Sequence, residues 1–75
     1  MEMIQNNTQL ELTTKFDIYD QMRSLIEYSD LILDYEAKYY KQIKDNEIIG
    51  YLVVSADKLR HNVISIDGKV EYFES

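Results

Sequence analysis

The sequence predicts a small α+β domain in which one long helix packs on a small antiparallel sheet, in the order β-α-β-β-β. Three observations lead there. Apolar residues between Asp17 and Lys44 recur at helical spacing, Ile48 to Ser55 is a β-branched apolar run, and Asp67-Gly68 lies between two short strand-like stretches. Seventy-five residues without a cysteine or a proline make one domain whose core comes from packing alone. Residues 1–8 are mostly polar, show no clear period and read as a flexible N-terminal arm, leaving 9–75 as the domain.

The elements follow in order. Gln9 to Thr14 alternates Leu10 and Leu12 with Glu11 and Thr13, as a short half-buried edge strand does. Thr14-Lys15-Phe16-Asp17 resembles a capping box, with Thr14 offering its hydroxyl to an orphan helix N–H. From there a broad stripe runs through Ile18, Met22, Leu25, Ile26, Ile32, Leu33, Tyr39, Tyr40 and Ile43, and a second stripe holds Tyr28, Leu31 and Tyr35. Acids early and lysines late suit one macrodipole, and Asp34 and Lys38 form an i,i+4 pair. One helix of about 28 residues, roughly 42 Å long, is the expectation; a break at Ser29-Asp30 into two helices is the alternative.

Asp45-Asn46 then ends the helix, with Asn46 suited to a left-handed C-cap. Ile48 to Ser55 is apolar on both sides and reads as a central strand covered on two faces, with Gly50 marking a bulge or a close backbone approach. Val63 to Ile66 and Lys69 to Phe73 form a hairpin around Asp67-Gly68. A type I turn with Gly68 left-handed sets Ile64 opposite Val70 and gives Ile64, Ile66, Val70 and Tyr72 as the buried face.

Composition excludes several classes of function. A net charge of −6 repels phosphate, so direct nucleic-acid binding through Lys38, Lys41, Lys44, Lys58 and Arg60 is not expected. The longest apolar run, Tyr51 to Val54, falls far short of the roughly 20 residues that span a bilayer, and no signal-peptide pattern opens the chain; a cytoplasmic protein without a membrane partner is expected. His61, the single histidine, has only Asp57 near it in sequence and reads as a solvated loop residue. No nucleophile motif, phosphate-binding glycine loop or zinc spacing is present, so neither catalysis, a cofactor nor a metal is expected.

What remains is binding. Asp20, Glu27 and Asp34 recur at seven-residue steps with Asp30 alongside, a row better suited to docking on lysine and arginine than to chemistry. Seven tyrosines supply interface anchors, and Tyr28, Leu31 and Tyr35 lie off the main stripe. The expected function is a non-enzymatic inhibitor or adaptor, docking through Asp20, Glu27, Asp30, Asp34, Tyr28, Leu31 and Tyr35 on a basic, for example nucleic-acid-binding, surface of a partner protein. In size and charge the chain is similar to small acidic phage-encoded proteins that disable host or defence nucleases, a likeness of type carried by no motif. The alternative is a self-associating homodimer built on Tyr28, Leu31 and Tyr35.

Overall fold

A computed structural model describes residues 8–26 and 30–75. Strand β1 (Thr8–Thr13) leads into helix α1 (Lys15–Met22), after which β2 (Lys38–Lys44), β3 (Glu47–Val54), β4 (Arg60–Ser65) and β5 (Val70–Glu74) follow. The strands form one antiparallel sheet in sequence order, so β1 and β5 are its edges. The α+β class is as expected. The long helix is not: α1 has eight residues, and the end of the expected helix is a fifth strand.

The helix begins where the sequence indicates. Thr14 is the N-cap, with extended backbone, and its hydroxyl accepts the N–H of Asp17 at 3.3 Å. It stops at Met22, whose carbonyl accepts the N–H groups of Leu25 and Ile26 in a closing turn. Ser29-Asp30, the alternative break, lies partly outside the described residues, and no helix follows in residues 30–37. The apolar spacing of 38–44 is helical, but as a strand β2 pairs on one side with β1 and on the other with β3. That bonding on both edges, with the sheet preference of tyrosines and of Ile43, outweighs helical spacing. Asp45 and Asn46, at φ 53° and 67°, form the two-residue turn between β2 and β3. Asn46 is left-handed as expected, but it turns a hairpin instead of capping a helix.

One face of the sheet carries the core. Ile18 and Met22 of α1, with Ile26, Leu31 and Ile32 after it, pack on Tyr39, Tyr51, Val53, Ile64 and Val70. Each such side chain fully buried is worth about 1.5–3 kcal/mol. The irregular stretch after α1 is held by Asn62, which is 0% exposed. Its Oδ1 accepts the N–H of Ile32 at 2.7 Å, and its Nδ2 donates to the carbonyls of Asp30 and Glu71 at 3.0 and 3.2 Å. One amide thereby satisfies two backbone groups of residues 30–32 that a helix would have paired internally and ties them to β5.

The register expected at Asp67-Gly68 is observed. Ile64 stands opposite Val70, Gly68 has φ 95°, its N–H donates to the Ser65 carbonyl, and the Ser65 N–H donates to the Lys69 carbonyl. Ile64 and Val70 are buried, whereas Ile66, in the turn beyond the end of β4, and Tyr72, on the edge strand β5, are exposed although assigned to the same buried face. Gly50 lies beside a register shift and close to β4, where an added Cβ would meet the Ile64 carbonyl oxygen at 2.6 Å. The two-sided covering expected of β3 is corrected: Tyr51 and Val53 are covered by the core, whereas Leu52 and Val54 on the other side are only half-buried.

Candidate functional site

The helix-borne docking row does not form, because no helix joins its members. Asp20 on α1 and Asp30 in the following turn are exposed. The Asp34 carboxylate is engaged internally, accepting from Arg60 Nη2 at 2.6 Å instead of pairing with Lys38. Leu31, at 9% exposed, belongs to the core, while Tyr35 is 93% exposed, so these two members of the second stripe face opposite ways. Glu27 and Tyr28 lie outside the described residues.

The sheet register assembles a different surface. On the face turned away from α1, one cross-strand row runs Leu12, Tyr40, Leu52, Val63 and Glu71 through all five strands. Beside it run Lys38, Val54, His61 and Phe73 on one flank, and Leu10, Gln42, Gly50 and Ser65 on the other. Among the described residues, no element of the helix side packs over these rows. Leu12 is 66% and Leu10 55% exposed, Phe73 is exposed, and Tyr40, Leu52, Val54 and Val63 are half-buried.

Two expectations are corrected by this arrangement. The leucines of β1 lie on the uncovered side, because Glu11 and Thr13 are drawn to the helix side by Lys41 and Asp17. Lys41 Nζ lies 3.8 Å from Glu11 and 3.4 Å from Asp17, and the Thr13 hydroxyl donates to Asp17 at 2.7 Å. That hydroxyl, ahead of the lysine, holds the Asp17 carboxyl below its ordinary value of 3.8. His61 is not a loop residue: it lies in β4, its ring stacked on Phe73 with centroids 4.9 Å apart and planes 16° from parallel.

At one end of this face a cleft of about 370 Å³ is lined by Glu36, Lys38, Tyr40, Val54, Ala56 and Lys58, among others. The lysines and arginine weighed for nucleic-acid contact are divided: Lys38, Lys44 and Lys58 lie on or beside the uncovered face, whereas Lys41 and Arg60 lie on the helix side in ion pairs. Among the described residues no three acids or histidines stand close enough to hold a metal, and no helix is long and apolar enough to cross a membrane. No family model matches this chain, and comparison with curated proteins and with solved structures returns no match.

The sequence signal for this surface was the apolar character of β3 on both sides. A strand with one solvated face alternates apolar with polar residues; Ile48 to Val54 does not.

Proposed function

We propose that this chain is a non-enzymatic protein-binding module that binds through the uncovered face of its sheet. The observation that carries this reading is the row Leu12, Tyr40, Leu52 and Val63, apolar across four adjacent strands with no cover among the described residues. The largest contiguous apolar patch on a monomer is often a functional one, and patches beyond a few hundred Å² mark sites of association.

The acidic docking reading has separate support. The net charge is −6, Asp20 and Asp30 are exposed, and Tyr35 projects almost wholly into solvent. An inhibitor or adaptor of this kind meets a basic partner through its helix side, with steering that weakens as salt rises.

Recovery of bound proteins from an extract of the native host, with wild type, Leu52→Lys and Asp20→Lys/Asp30→Lys compared, separates the two surfaces. Leu52→Lys is expected to lose association, with itself or with other proteins, while its circular dichroism stays native. If it keeps every association of the wild type, the sheet-face reading is wrong. Unchanged binding by the charge reversal across a salt series removes the acidic one.

A further inference from the structure

We infer that the occupant of the uncovered sheet face is a second copy of this chain, which packs the two sheets face to face; the inference rests on the sheet-face reading above. Three observations bear on the choice: charge selects a copy over an unlike partner, and area and architecture fit that choice.

The first is charge. The charged residues on or rimming the face are Lys38, Lys44 and Lys58 against Glu36, Glu47 and Glu71, in balance, although the chain as a whole is at −6. The acid excess lies on the helix side, at the turns and outside the described residues. A face of this kind opposes its own copy without like-charge repulsion, and it offers a basic partner no complementary field.

The second is area. Five strands about 4.8 Å apart and some six residues long at about 3.4 Å each give a footprint of roughly 480 Å² per copy. Two copies together give roughly 960 Å², the size of a weak, reversible interface and below that of a permanent one.

The third is architecture. A sheet apolar on both faces is built for cover on both. Here α1 and residues 30–32 supply one cover and nothing described supplies the other. Apposition of two such faces supplies it symmetrically, as an isologous contact, with the sheets about 10 Å apart and aligned to within about 30°. Leu52 and Val63 then lie near the centre, and Leu12 and Phe73 toward the margins.

Sedimentation velocity of the full chain from about 1 to 200 µM tests this, since association follows mass action. The expected mass is twice the 8.9 kDa of the monomer, and Leu52→Lys is expected to raise the dimer dissociation constant at least a hundredfold, about 2.7 kcal/mol. Should Leu52→Lys fail to fold, Leu12→Lys serves, because that side chain is already two-thirds exposed and contributes nothing to the core. Because the chain has no cysteine, single-cysteine variants give a second readout: Val63→Cys is expected to form covalent dimers with a short thiol cross-linker, and Asp20→Cys is not. A wild type that stays monomeric at the highest concentration overturns the second copy, and so does a dimer that crosslinks through Asp20→Cys and not Val63→Cys. If such a monomer still recovers proteins that Leu52→Lys loses, the copy alone is rejected; if it recovers none, the sheet-face reading falls with it.

Discussion

Single residues set the most exacting conditions on this fold. Asn62→Leu keeps the volume and removes three hydrogen bonds, leaving the Ile32 N–H and the Asp30 and Glu71 carbonyls to find other partners. A loss of about 2–4 kcal/mol is expected, read as a lower denaturation midpoint and faster amide exchange at Ile32; an unchanged midpoint refutes the tether. Gly68 is constrained twice, by φ 95° and by the Leu25 carbonyl oxygen, which stands where a Cβ would clash. Gly68→Ala is expected to cost roughly 2–3 kcal/mol, a fall in Tm on the order of 10–20 °C for a domain this size. Asp17, Asp57 and Asp67 are all held below their ordinary value of 3.8, chiefly by the hydroxyls of Thr13, Ser55 and Ser65. Folded values below the unfolded one mean that their contribution is complete above about pH 4 and is lost as pH falls through the folded values. Acid titration of stability is therefore expected to show its loss below about pH 4, and Asp17→Asn to flatten that loss.

Elements depend on what surrounds them, and that decided how much of them could be read from the sequence. The N-cap at Thr14 and the turn at Asp67-Gly68 are local chemistry, a hydroxyl beside an orphan N–H and a glycine at positive φ, and both stand where the sequence places them. Residues 38–44 are different, because Tyr39, Tyr40 and Ile43 have helical spacing but also suit a strand with apolar residues on both faces; pairing with β1 and β3 chose the strand. Asn46 shows the same ambiguity, since a left-handed residue closes a helix as readily as a hairpin. The docking row was lost with the helix, as residues seven apart share a side only while the backbone between them is helical. The uncovered face was legible only as a two-sided strand, and its members come from five strands, of which the sequence registered only β4 against β5. Gln42→Thr separates strand from helix experimentally. In a strand it gains up to a few tenths of a kcal/mol, in a helix it loses about half, so an unchanged or raised thermal midpoint is expected.

At the scale of the whole molecule, the proposed second copy couples folding to association, because the described residues cover one face of the sheet. If the second cover is another copy, the midpoint of thermal unfolding rises with concentration, and a hundredfold dilution lowers it measurably. Leu52→Lys is expected to abolish that dependence, leaving a midpoint independent of concentration; a wild type already insensitive to dilution contradicts the coupling. Strand β1 adds a consequence of its own. Among the described residues it has a neighbour on one side only, its own Leu10 and Leu12 are exposed, and no proline occurs in the sequence to interrupt it. Unsaturated backbone beside bare leucine is a template on which further chains can add sheet. Warm, concentrated solutions are thus expected to lose protein by fibrous growth from this margin, and a lysine at position 10 to slow it.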